Sequence, residues 1–261
     1  MNTINRFLFA VVLFVCSPVL SASLSAAPAA DSLWNAANTL YVNGDYKGAA
    51  ALYEDIVEQG LVSHELFYNM GNAYFKDDRL GESIVAYRKA QLLNPSDADV
   101  AYNLGVANSY VKDRLNVLPE FFLTRWVRAV AGVFSGRVWA VLSLLFLLLT
   151  AVGVLLFLLA RAVSRRKLGM SVAIVSAVLF VASLCFMGSA VSKINSGSEA
   201  VIISESASVK SSPDRASIDL FILHEGTVVE VATDFGEWNE IVLSDGSKGW
   251  IRSEQIKRVA F

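Results

Sequence analysis

The sequence is poor in the residues that most site chemistry uses. Histidine occurs twice, as His64 and His224, and cysteine twice, as Cys16 and Cys185. Both cysteines lie inside apolar runs, so neither soluble stretch can carry a disulfide or a thiolate metal site. The two histidines stand on opposite sides of the longest apolar runs. Neither has a cysteine or a pair of carboxylates at ligand spacing. A glycine-rich phosphate loop is missing as well. These absences predict a protein that is not an enzyme, with no catalytic residue, no cofactor and no metal. Glu54, Asp55 and Glu58 cluster on one helical stretch and read as a solvated face. The net charge is only −2, so no overall field points to nucleic acid.

Apolar residues, by contrast, are abundant. They make up 54% of the chain, and the mean hydropathy is +0.48, so part of the chain must sit in lipid. Residues 138–160 and 170–191 are uncharged runs of twenty-three and twenty-two residues. As a helix the first would extend about 34 Å, enough to cross a bilayer. Between them, residues 161–169 carry Arg161, Arg165, Arg166 and Lys167. The positive-inside rule makes that loop cytoplasmic and both flanking ends periplasmic. Arg125, Arg128 and Arg137, just before the first run, pull weakly the other way. Residues 1–27 have the layout of a secretory signal peptide: basic Arg6, an apolar stretch from Phe7 to Leu20, then small residues. Cleavage would follow Ala27, with Ser23 as the second choice. Phe14 and Val15 are too bulky for Cys16 to be a lipoprotein cysteine. The expected location is therefore a bacterial inner membrane, with both soluble domains in the periplasm. Over residues 119–137, Phe122, Trp126, Val130, Val133 and Phe134 recur at helical spacing. That segment reads either as an amphipathic helix on the membrane surface or as a helix capping the preceding domain.

Residues 31–115 repeat at an interval of thirty-four. Trp34, Tyr68 and Tyr102 keep that spacing, as do Asn35, Asn69 and Asn103, then Ala37, Gly71 and Gly105. Tyr53 and Tyr87 are separated by the same interval. Tyr68-Asn-Met-Gly71-Asn-Ala73-Tyr74, Ala86-Tyr87-Arg-Lys-Ala90 and Asn94-Pro95 resemble the tetratricopeptide (TPR) repeat, a helix pair that buries its face only by stacking on the next. Two full repeats and a third first-helix, from Ala98 to about Tyr110, are expected. Gly71 and Gly105 are expected to let helices approach closely. The resemblance implies that first-helix residues line a concave groove. The candidate partner-binding residues are Trp34, Asn38, Tyr41, Tyr68, Asn72, Phe75 and Tyr102, with rings for stacking and amides for a peptide backbone. The same aromatics are alternatively core residues shared between repeats, and the two asparagines cross-links between helices. Lysine and arginine are not duplicated on the stripe, which argues against recognition of an acidic C-terminal tail.

From residue 199 to 261 the pattern changes to short alternating runs with Gly, Asp and Ser turns, and five short strands are expected. Ala207-Ser-Val-Lys-Ser-Ser-Pro213, Gly236-Glu-Trp238 and Asp245-Gly-Ser-Lys-Gly-Trp-Ile251 resemble the bacterial SH3 family. That implies a small β-barrel, with Trp238 and Trp250 as either ligand contacts or core. The expected fold class is thus a multi-domain membrane protein: an all-α TPR solenoid, two transmembrane helices and a small all-β SH3-like barrel. This order resembles the Bacteroides aerotolerance (Bat) family, which is encoded beside a MoxR-type ATPase. The resemblance implies a subunit of an envelope stress-tolerance complex, with von Willebrand factor A-domain membrane proteins as partners. The alternative is a cell-wall protein whose SH3-like domain holds murein.

Overall fold

The computed structural model describes residues 28–115 and 121–261. The signal peptide expected at 1–27, Cys16 within it, and the first two residues of the helix expected at 119–137 lie outside the described residues.

Five helices come first: α1 (Pro28–Val42), α2 (Tyr46–Glu58), α3 (His64–Lys76), α4 (Leu80–Leu93) and α5 (Ala98–Tyr110). Their ends repeat along with the sequence. Ser63 caps α3 by accepting from Leu66 N–H, and Asp97, thirty-four residues on, caps α5 through Asp99 and Val100 N–H. The turns inside the pairs repeat too. Gly44 (φ +84°) ends the α1–α2 turn and Asp78 (φ +58°) takes the same place between α3 and α4. Only glycine adopts that left-handed backbone without strain. Gly71 brings α3 onto α4: a Cβ there would lie 2.7 Å from the Tyr87 ring. Gly105 differs from the expectation, since a Cβ there would meet nothing within 4 Å. The reason is that α5 is followed by extended chain, so its glycine has no second helix to receive.

Next come α6 (Phe122–Ala131), α7 (Gly136–Leu159) and α8 (Val163–Ser196). α7 and α8 are long and apolar enough to cross a membrane. They run antiparallel and touch closely because glycine faces backbone at two points. A Cβ on Gly153 would lie 2.6 Å from Ala173 N, and one on Gly169 would lie 2.6 Å from Phe157 N. Small residues are what allow apolar helices to pack without a hydrophobic drive between them. Thr150 Oγ1 and Ser176 Oγ share a hydrogen bond of 2.9 Å across the pair. α8, at 34 residues, is longer than the run of uncharged residues suggested. It begins at Val163, so Arg165, Arg166 and Lys167 occupy its first turns and the connection to α7 shrinks to residues 160–162. It also runs past Val191 to Ser196. The segment before the hairpin is a ten-residue helix, shorter than the expected 119–137, and it packs on α8.

The remainder is an antiparallel sheet of seven strands, two more than expected: β1 (Glu199–Ile202), β2 (Ser206–Lys210), β3 (Asp219–His224), β4 (Val228–Phe235), β5 (Trp238–Val242), β6 (Lys248–Arg252) and β7 (Ile256–Arg258). Their order is β3-β2-β6-β5-β4-β1-β7. The strands that the alternation did not show include β3, whose Ile222 and Leu220 are exposed, and three-residue β7. Ile202, Val209, Ile241 and Ile251 form the interior.

The helical repeats and the sheet share a core. Ile84, Val85 and Tyr87 of α4 pack with Leu104, Ala107, Val201 and Val259. α4 is therefore apolar on two sides, one for α3 and one for β1 and β7. Gly81 makes the approach possible, since a Cβ there would lie 2.6 Å from Ile202 O. Arg88 and Glu199 form an ion pair at 2.8 Å across the boundary, and Gly81 N–H donates to Glu225 Oε1 at 2.7 Å. The hairpin returns the chain to its starting side. Gly136 at the head of α7 lies against Ala190 and Val191 of α8. Repeats and sheet thus stand at the same end of the α7–α8 pair.

Candidate partner-binding site

The first helix of each repeat carries the expected stripe, and its asparagines are engaged inside the domain. Tyr53 Oη donates to Asn38 Oδ1 at 2.6 Å, and Tyr87 Oη donates to Asn72 Oδ1 at 2.7 Å. Both bonds link residues fifteen apart, so the brace is part of the repeat. Asn103 Nδ2 extends it by donating to Asn72 Oδ1 at 2.9 Å and to Tyr68 Oη at 3.1 Å. Burial pushes the Tyr53 hydroxyl up to about 12, with Tyr41 adding to the effect and the Asn69 amide opposing it. Burial raises Tyr87 in the same way, against the Asn103 amide. The brace gives Asn38 and Asn72 the cross-linking role that the sequence left open beside the groove role: their oxygens hold helix to helix.

The rings are distributed unevenly. Trp34 stacks edge-on against Tyr53 at 5.7 Å between centroids, and Tyr41 against Tyr46 at 5.2 Å. Tyr68 leans toward Tyr87 at 6.2 Å, and Phe75 meets Tyr110 edge-on at 5.5 Å. These four are half-buried, so each contributes to the core and keeps one edge outside. Tyr102 on α5 is 72% exposed. It sits on the unpaired helix, beside open Gly105.

In the sheet, the two candidate tryptophans part company. Trp238 is 9% exposed and pairs with Arg252 and Phe235 across the ladder. Its burial agrees with the core role, one of the two roles expected of it. Trp250 is half-buried on the outward face and contacts exposed Phe235 edge-on at 6.3 Å. Leu220 and Ile222 of edge strand β3 are exposed as well. They were missed because β3 was not read as a strand.

Sequence reasoning also missed Asp113, which lies just beyond the end of α5. Asp113 accepts from His224 N–H at 2.7 Å, from the His224 ring at 2.7 Å and from Thr227 Oγ1 at 2.6 Å. Burial pushes its carboxyl up. The bonds from Thr227 and His224 outweigh that and hold it below the usual carboxylate range. His64 has an equally local role, with Nε2 at 2.9 Å from Asp97 Oδ2, beside the α5 cap. Among the described residues, His, Cys, Asp and Glu do not gather in groups of three that could hold a metal.

The TPR repeat family matches residues 71–109, from the middle of α3 to the end of α5. No curated protein matches the chain.

Proposed function

We propose that this protein is a non-enzymatic scaffold anchored in the bacterial inner membrane, presenting its repeats and an SH3-like domain to protein partners in the periplasm. TPR repeats suggest protein–protein interaction. The docking of α4 on β1 and β7 carries the reading further. It occupies the far side of α4 and leaves the stripe on the first helices partly exposed, with Trp34, Tyr41, Tyr68 and Phe75 half-buried and Tyr102 exposed. There Trp34, Tyr41, Tyr68, Phe75 and Tyr102 offer ring edges, while Asn38 and Asn72 hold the helices in register. Rigid aromatic surface of this kind supports recognition at low entropic cost. The basic turns at Arg165–Lys167 support placing the far end of the hairpin in the cytoplasm. The order of the parts supports membership of a Bat/MoxR-associated stress-tolerance complex, with von Willebrand factor A-domain membrane proteins as partners. Murein is the second reading, favoured by the outward patch of Trp250, Phe235 and Leu220 on the sheet.

Affinity purification from detergent-solubilised membranes tests this. The wild type should retain A-domain membrane proteins, and Trp34→Ala with Tyr102→Ala should lose them while leaving expression unchanged. Retention on purified murein sacculi with no protein partner would favour the second reading.

A further inference from the structure

α6 is ten residues long, and none of them is buried. A helix that short is marginal by itself in water, so its stability comes from what it lies against. Its residues divide cleanly between two sides. Phe122, Leu123, Trp126, Val127 and Val130 fall on one, and Thr124, Arg125 and Arg128 on the other. The apolar side is the one turned outward. Phe122 is 70% exposed and Trp126 62%, and Leu123 and Val127 are exposed with them. The opposite side faces the protein. Arg128 and Ala131 line a cavity together with Leu92 of α4 and Ser189 and Ala190 of α8.

The orientation is held at the end of the helix. Trp139 Nε1 of α7 donates to Ala131 O at 3.1 Å. The Trp139 ring meets Phe134 at 5.4 Å and Phe186 of α8 at 4.8 Å between centroids. α6 is therefore tied to both long helices with its apolar side facing away from them. Exposed apolar residues then continue without a break, through Val133 and Phe134 to Val138 and Val141 of α7. The apolar side of α6 is thus continuous with the surface that α7 and α8 present to lipid. Tryptophan gathers at the level of lipid headgroups, and an amphipathic helix with aromatic and aliphatic residues on one side and basic residues on the other suits that layer.

We propose that α6 lies in the headgroup layer of the membrane beside the head of α7, with Phe122, Leu123, Trp126 and Val127 sunk into the lipid. The proposal rests on the reading of α7 and α8 as membrane spans. It selects the membrane surface from the two roles that the sequence leaves open to this segment. It also seats the repeats on the bilayer, since the last turn of α4 stands behind α6.

The test uses the full-length chain, with Cys16→Ser and Cys185→Ser, in liposomes of phosphatidylcholine and phosphatidylglycerol. An environment-sensitive fluorophore is attached in turn at Phe122→Cys, Trp126→Cys, Thr124→Cys and Leu148→Cys. Positions 122 and 126 should be quenched by phosphatidylcholine that carries a spin label near the headgroup, because such a helix sinks about 5–10 Å into the headgroup boundary. Aqueous iodide should quench position 124 several-fold more than position 126. Lipid quenching at either 122 or 126 supports the seat, so one disturbing substitution does not decide the result. Position 148, exposed in the middle of α7, reports the hairpin separately through a spin label deep in the acyl chain. If it is not quenched, the membrane reading itself fails and the proposal with it. If it is quenched, iodide access at both 122 and 126 overturns the seat of α6 alone. Protection of both positions from both quenchers also overturns it, and in liposomes of the purified chain assigns the apolar side to a second copy.

Discussion

Tyr87 Oη donates to Asn72 Oδ1 at 2.7 Å, and thirty-four residues earlier Tyr53 repeats the bond to Asn38 at 2.6 Å. Both tyrosines are almost wholly buried, so each asparagine satisfies a hydroxyl that has no route to water. Asn38→Ala with Asn72→Ala therefore strands two buried hydroxyls. A buried polar group left without a partner costs about 1–3 kcal/mol. The double variant should melt more than about 8 °C lower, as a loss above about 1 kcal/mol gives in a domain of this size. Partner retention should fall only as far as folding does. An unchanged melting point with lost retention would return the amides to the groove.

Asp78 holds a left-handed backbone where the preceding repeat has Gly44. Asp78→Gly should remove strain worth about 1 kcal/mol, partly offset by the greater freedom of glycine in the unfolded chain. A rise in thermal midpoint is expected, and a fall would show that the aspartate side chain stabilises the turn by more than its backbone costs.

Gly81 sits against the backbone of Ile202 and Ile203. Gly81→Val should force α4 away from β1 and expose the shared core around Ile84 and Val201. Limited proteolysis should then cleave in residues 111–115 and in the sheet much faster than in the wild type, while the repeats keep their helicity. Wild-type protease resistance would show that the two parts are held together elsewhere.

Lys89 of α4 lies over the rings of Phe67 and Phe261, at 5.3 and 5.7 Å. Burial, and then the charge of Lys257, lower its pKa to about 8 from an ordinary 10.5. The folded state thus releases a proton that the unfolded state keeps between about pH 8 and 10.5. Stability at this site is lowest below pH 8 and rises across that window. Lys89→Met should raise the melting point at pH 7, and the gap from wild type should close toward pH 10.5. A gap that is constant with pH would place the gain in packing alone.

The periodic features were legible in the sequence because each repeat performs the same task. The spacing of thirty-four gave the helix pairs, and α5 falls on 98–110 as the third first-helix. The apolar runs gave α7 and α8, though α8 outgrows its run because charged turns at both ends continue the helix. What escaped was non-local. Tyr53 and Tyr87 were visible as a repeated pair, yet nothing in sequence order says that their hydroxyls reach Asn38 and Asn72. The second apolar face of α4, Ile84 and Val85, had no expected neighbour, since its partner Val201 lies beyond the hairpin. β3 was hidden because Leu220 and Ile222 face outward on an edge strand, which breaks the usual alternation of apolar inside and polar outside.

The central claim is that repeats and sheet form one scaffold on the periplasmic side of the membrane. Membrane-impermeant maleimide labelling in spheroplasts tests it directly. Single cysteines at Lys76→Cys, Ser212→Cys and Arg165→Cys would be placed in a chain with Cys16→Ser and Cys185→Ser. The account predicts that positions 76 and 212 label in intact spheroplasts and that position 165 labels only after permeabilisation. Labelling of 76 and 212 from opposite sides, or of 165 alone in intact spheroplasts, would contradict it.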